Sequence, residues 1–219
     1  MGYVFPVTTD FAVKPTLNGE KVTLRPFIEA DLPGLRRALR DRDVLRLTGS
    51  VHDDQAEFVD VDMVRAVEFL NWRNEQPDRL DLAVVDRATD ECVGEVVLNQ
   101  YDEGNRSCNF RTFLGPAGQG RGLGTEALRL IVGHGFEEIG LHRISLEVYA
   151  FNPRARHVYE KAGFVAEGVL RESLHYNGEW IDATVMSILD HEWALHRGKP
   201  EPGVNRTATK GSSGASTGH

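Results

Sequence analysis

Apolar positions recur along this chain with two different periods, and the changes of period mark out its elements. Val22-Thr23-Leu24-Arg25-Pro26-Phe27 alternates like a strand, with Pro26 marking an edge or a strand end. Asp31 suits the N-cap of a helix in which Leu32, Leu35, Leu39 and, further on, Leu45 recur at helical spacing. Residues 53–62 are acidic and poorly patterned, and a second helical stretch then runs from Met63 to Gln76, stopping before Pro77. Residues 80–85 and 91–98 read as strands joined by the polar turn Asp86-Arg87-Ala88-Thr89-Asp90, as in a hairpin. A second polar turn, Asp102-Glu103-Gly104-Asn105, leads into a third strand over residues 107–114, completing an antiparallel meander.

After Gly115-Pro116 the period lengthens. Leu123, Ala127, Leu128, Ile131, Val132, Phe136 and Ile139 predict an amphipathic helix over 124–140, with Gly140 placed as its C-cap. Ile144, Leu146 and Val148 alternate in a strand over 143–149. Asn152 and Pro153 suit the N-cap and first position of another helix, which ends at Gly163. Strand-like runs follow at 165–171 and 182–189. Antiparallel strands, a helix-linked pair and a closing hairpin predict an α/β (α+β) fold with a mixed, mostly antiparallel sheet flanked by helices. Residues 1–20, with Pro6, Pro15 and Gly19, read as an extended arm before a domain over 21–197. Residues 198–219, rich in Pro, Gly, Ser and Thr, read as a disordered tail.

A length of 219 residues can bury a sizeable core without disulfides or a structural metal. The net charge of −8 argues against a nucleic-acid surface, which needs clustered Lys and Arg; it suits solubility and would also suit a cationic substrate. Cys92 and Cys108 fall in strand-like stretches and read as small buried hydrophobes, and no CxxC or HxxxH pair suggests a metal site. The start Met1-Gly2-Tyr3-Val4-Phe5-Pro6 has neither a basic-then-apolar leader nor a myristoylation pattern, and no apolar run approaches the ~20 residues of a membrane span. The expectation is a cytoplasmic protein, with a homodimer as the default assembly.

Candidate chemistry concentrates in Gln119-Gly120-Arg121-Gly122-Leu123-Gly124-Thr125, between a strand and a helix. Alternate glycines let a ligand approach the backbone, and the helix start offers N–H groups and the positive end of its dipole. That combination makes an anion site suited to phosphate, to which Arg121 can add a charge. A P-loop would need Gly-Lys-Ser/Thr, and the dinucleotide fingerprint would need glycine where Thr125 stands. The preceding meander also argues against a parallel dinucleotide-binding series.

Gln119-x-x-Gly122-x-Gly124 resembles the Q/R-x-x-G-x-G/A signature of the GNAT acetyltransferases. Asn152, Ala155, Tyr159 and Gly163-Phe164 resemble that family's N-x-x-A-x-x-x-Y-x-x-x-G-F helix. Glu167-Gly168, Arg171, Gly178-Glu179, Asp182, Met186 and Glu192-Trp193 resemble the branch containing ribosomal-protein-alanine and spermidine acetyltransferases. The resemblance spans about residues 20–195 and implies a splayed strand pair at the cofactor site. It also implies acetyl-CoA as co-substrate, with its pyrophosphate on residues 119–125 and its pantetheine arm along Phe113 and Leu114.

The implied reaction is direct attack of a neutral amine on the thioester, which needs a proton acceptor and an acid for the departing thiolate. Tyr159 matches the family's acid; its other reading is a packing aromatic beside Val158. Asn152 holds the cofactor or caps its helix. Glu95, which strand alternation places opposite Gly94 and Val96, is either the base acting through water or a solvated strand residue. The acceptor is a small amine or polyamine, or a protein N-terminus, and Tyr159 tilts the balance toward the small amine. The alternative on the same fold is a non-catalytic acyl-CoA sensor.

Overall fold

The computed structural model describes residues 11–56 and 62–197; the expected tail and the first half of the arm lie outside the described residues. Strands Leu17–Asn18 (β1), Val22–Arg25 (β2), Leu80–Asp86 (β3), Glu91–Asp102 (β4), Ser107–Leu114 (β5), Arg143–Tyr149 (β6), Val165–Tyr176 (β7) and Glu179–Leu189 (β8) form one sheet. Their order is β1-β2-β3-β4-β5-β6-β8-β7. The helices are Leu32–Leu39 (α1), Arg42–Leu47 (α2), Met63–Glu75 (α3), Leu123–Glu137 (α4), Pro153–Ala162 (α5) and Asp190–His196 (α6).

All neighbouring strands are antiparallel except β5 and β6. Their parallel ladder joins Ser107 to Arg143, Cys108 to Ile144 and Asn109 to Ser145, and goes no further. Beyond it, residues 110–114 pair only with β4 and residues 146–149 only with β8. The two strands therefore diverge, and each turns one edge of backbone N–H and C=O groups away from any strand partner.

Alternation along the strands sends side chains to two cores. On one face Leu24, Leu82, Val84, Val96, Leu98, Ile144 and Leu146 pack with Leu123, Ala127 and Ile131 of α4 and Ala162 of α5. On the other, Ala83 and Val85 pack with Leu32 and Leu35 of α1 and with Ala66 and Leu70 of α3. Strand β3 is buried on both faces, which explains its nearly continuous apolar run. Phe11 also belongs to the larger core, its ring 4.9 Å from that of Tyr101. The arm is held there by Lys14, whose ammonium donates to the Phe11 and Gln76 carbonyls at 2.6 Å each.

The structure departs from the periodic pattern in several places. The first predicted helix is divided, because Asp41 takes an extended backbone and caps α2 by accepting from the Val44 N–H at 2.9 Å. Strand β4 runs on to Asp102 across a register shift that contains Gln100 at φ 53°. Strand β7 continues to Tyr176 past Glu172 at φ 55°. Irregularities of this kind break strict alternation, so the sequence pattern ends before the strand does. Finally, α4 is capped at Glu138, with Gly140 two residues beyond.

Helix α4 is tied to the β1–β2 turn through Glu126. Its carboxylate accepts the backbone N–H groups of Glu20, Lys21 and Val22 at 2.7, 2.8 and 2.9 Å. Glu126→Ala should lower stability by about 2 kcal/mol, since hydrogen bonds to a charged group are lost together. The measurement is the urea midpoint at unchanged slope; an unmoved midpoint would mean that water replaces the carboxylate without loss.

Candidate active site

Where β5 leaves β6, a 3₁₀ turn at Pro116–Gly118 reverses the chain toward α4. Gln119 follows it and points back, its Nε2 donating to the Leu114 carbonyl at 2.9 Å. Gly120 and Gly122 adopt φ of 76° and 82°, in the left-handed region where a side chain is strained. Gly122 is the N-cap of α4 and makes no side-chain cap bond, so the N–H groups of Leu123, Gly124 and Thr125 open the helix without a side-chain acceptor from that position. A Cβ on Gly124 would lie 2.9 Å from Leu114 Cδ1, so glycine there lets the helix start close against β5.

Arg121 belongs to this loop, but its guanidinium turns to β3. It donates to Asp86 Oδ2 at 2.5 Å and to the Ala117 carbonyl at 3.3 Å. Asp86 is almost fully buried, and its bond with Arg121 holds its carboxyl below the ordinary aspartate range. Asp86 also accepts the Ala88 N–H at 3.0 Å, so one carboxylate joins the β3–β4 turn to the glycine loop.

On the far side of the divergence, Asn152 caps α5, its Oδ1 accepting from the Ala155 N–H at 3.1 Å, and Pro153 occupies the first turn. That helix carries Tyr159. Its ring lies edge-on to Phe110, 6.2 Å between centroids, and 5.9 Å from Phe164. Phe110 is the first β5 residue beyond the parallel ladder, so Tyr159 packs beside the fork. Burial pushes its hydroxyl up to about 12, which keeps the proton on the oxygen at neutral pH.

Glu95 lies on the opposite face of β4, across from Ala83 on β3 and Phe113 on β5. It is not a solvated strand residue. Its side chain is 16% exposed, and Oε2 accepts from Arg73 Nη1 at 2.7 Å. Arg73 and its second partner, Asp81, did not emerge from the periodic pattern. Two signals could have found them: an arginine continuing the Ala66–Leu70 core stripe of α3, and a carboxylate inside the apolar run of β3.

The segments flanking this face meet at its rim. Tyr176 OH donates to Asp54 Oδ1 at 2.5 Å, and the Asn177 N–H donates to the His52 carbonyl at 2.9 Å. The Arg46 guanidinium stacks 5.1 Å from the Phe151 ring centroid, and Phe151 packs 6.0 Å from Tyr176. The loop after α2, the end of β6 and the tip of the β7–β8 hairpin thus form one wall. Cys92 and Cys108 are buried, each thiol pushed up to about 12 by desolvation, so neither is an activated nucleophile.

Residues 21–165 match the family described as the acetyltransferase (GNAT) domain. The chain belongs to that family, and it is an acetyl-CoA-dependent N-acetyltransferase. It is 32% identical over 176 residues to "Probable N-acetyltransferase YjcK" of Bacillus subtilis, covering 80% of this chain and 97% of that protein. It is 33% identical to spermidine N(1)-acetyltransferase of Escherichia coli over 50% of this chain and 61% of the relative. Among solved structures, spermidine N-acetyltransferase from Vibrio cholerae in complex with CoA and spermine superposes with a TM-score of 0.69 at 27% identity, covering 80% of this chain and 99% of the other. The mixed sheet also removes the dinucleotide-binding reading, which needs a parallel doubly wound sheet. No helix of the described residues is long and apolar enough to cross a membrane.

The left-handed backbone at Gly122 generates a direct test. Gly122→Val should strain the loop by roughly 1–2 kcal/mol and abolish measurable acetyl-CoA binding by calorimetry, with far-UV circular dichroism retained. Binding at wild-type affinity would remove this loop from the cofactor site.

Proposed function

We propose that the protein acetylates a small primary amine, with polyamines the favoured class, at the fork between β5 and β6. The observation that carries this reading is the placement of Tyr159 beside the fork and Glu95 on the opposite sheet face, both close to the unpaired end of β5. The N–H groups of residues 119–125 would hold the pyrophosphate of acetyl-CoA. The free edge of Phe113 and Leu114 would pair with its pantetheine amides as an added strand does. Asn152 would support the cofactor through the α5 start that it caps.

Acetyl-CoA supplies the acetyl group as a thioester. The acceptor amine attacks as its neutral form, Glu95 takes a proton from it through water, and Tyr159 gives its proton to the departing sulfur. In this reading the acceptor approaches from the α1–α3 side, on which Glu95 lies. Spermidine acetyltransferases among the similar proteins support a polyamine acceptor. A protein N-terminus is the second acceptor, and its use would appear as peptide acetylation without polyamine turnover.

Acetyl-CoA should raise the melting temperature by mass action, and spermidine or spermine should release thiol in its presence. No shift would sink the cofactor assignment. A shift with no thiol release from polyamines, small amines or N-terminal peptides would leave an acyl-CoA sensor.

Tyr159→Phe should lower kcat by about 10²-fold while acetyl-CoA affinity stays within about twofold. Because burial pushes the hydroxyl up to about 12, Tyr159 is protonated below that value and loses its proton only above it. The kcat profile should therefore show no alkaline fall from this group in the neutral to mildly basic range. Unchanged turnover in single-turnover experiments would take Tyr159 out of the mechanism.

A further inference from the structure

The geometry points to Arg73 as a positioning residue for Glu95, anchored by Asp81; the inference rests on the reading of Glu95 as the proton acceptor. Arg73 is fixed on every side. Its Nε and Nη2 donate to Asp81 Oδ1 at 3.0 and 2.5 Å, and its Nη1 donates to Glu95 Oε2 at 2.7 Å. The rings of Phe27 and Phe69 lie 4.8 and 5.6 Å from the guanidinium carbon. A planar fork held at its edge and covered by rings leaves little rotamer freedom to the group it bonds.

The charges are arranged unequally along this chain of contacts. Asp81 is fully buried and takes a second fork from Arg79, at 2.5 Å from Nε to Oδ2 and 2.8 Å from Nη2 to Oδ1. Arg79 thereby matches the Asp81 charge, and the charge of Arg73 is left to face Glu95. Exposure rises in the same direction, from 0% at Asp81 to 8% at Arg73 and 16% at Glu95. A structural ion pair would be sealed throughout; this one ends on a carboxylate that reaches the surface opposite Phe113. Buried ion pairs add little net stability against apolar packing, so stability alone gives no reason for burying two charges here. Fixing the direction of one carboxylate does.

The test is a kinetic double-mutant cycle in the intact chain with Arg73→Gln, Glu95→Gln and the pair, using spermidine, or the amine of the panel that releases most thiol if spermidine is inert. Arg73→Gln should lower kcat/KM for the amine by about 10-fold or more while the KM for acetyl-CoA moves less than about twofold. A merely structural loss would lower the acetyl-CoA and amine parameters together. In the Glu95→Gln background, Arg73→Gln should have no further effect. Arg73→Lys keeps a charge beside both carboxylates and should restore part of the rate; it carries the same test if Arg73→Gln fails to fold. Wild-type turnover in Glu95→Gln would overturn the reading of Glu95 itself. A damaging Glu95→Gln combined with additive Arg73 losses, or with no rescue by Arg73→Lys, would overturn the positioning role alone.

Discussion

The parallel contact between β5 and β6 is the constraint on which the rest of the molecule depends. Every other neighbouring strand pair in the sheet is antiparallel, and this contact joins the β1–β5 meander to the β6–β8 unit. A parallel connection needs a crossover, and α4 supplies it, packing across the core face of both halves. Because the ladder stops at Asn109 and Ser145, the two halves diverge beyond that point. The glycine loop, Gln119 and the start of α4 follow directly from the diverging end of β5, while Asn152 and α5 follow from the diverging end of β6. One short ladder therefore sets the relative placement of the phosphate-binding candidate and the tyrosine-bearing helix.

The two sheet faces then divide the chemistry. The α4–α5 face is apolar and carries Tyr159 against Phe110 and Phe164. The α1–α3 face carries the charged chain Asp81–Arg73–Glu95. A phenol whose proton is retained by burial and a carboxylate held by an arginine thus stand on opposite sides of one strand edge. Environments that differ in this way let two groups serve opposite proton-transfer roles at one pH.

Much of this was legible in the sequence where the physics is local. Alternate glycines before an amphipathic helix, Asn before Pro at a helix start, and a period change after Gly115-Pro116 each report on backbone conformation within a few residues. The structure accordingly has Gly120 and Gly122 at positive φ, Asn152 as a cap and strands where alternation predicted them. The long-range pairs were not legible. Arg73 reaches Glu95 across 22 residues of sequence, and Tyr176 reaches Asp54 across 122. Nothing in the period of a helix or strand says which charge will meet which. The same limit hid the orientation of Arg121: a basic residue in a phosphate-like loop suggests a charge for the ligand, whereas its guanidinium is turned to Asp86.

That orientation has a consequence for discrimination among anions. Gln119 is bonded to Leu114, Arg121 to Asp86 and Glu126 to the β1–β2 turn, so the loop takes its shape from contacts within the protein. Little ordering entropy would be left to be lost if the proposed pyrophosphate binds there. With the Arg121 charge already balanced, the loop presents a fixed curve of backbone dipoles rather than a bare cationic patch. Under the proposed assignment such a surface would sort polyanions by the spacing and turn of their phosphates, and would give simple salts and nucleic-acid backbones little reason to linger.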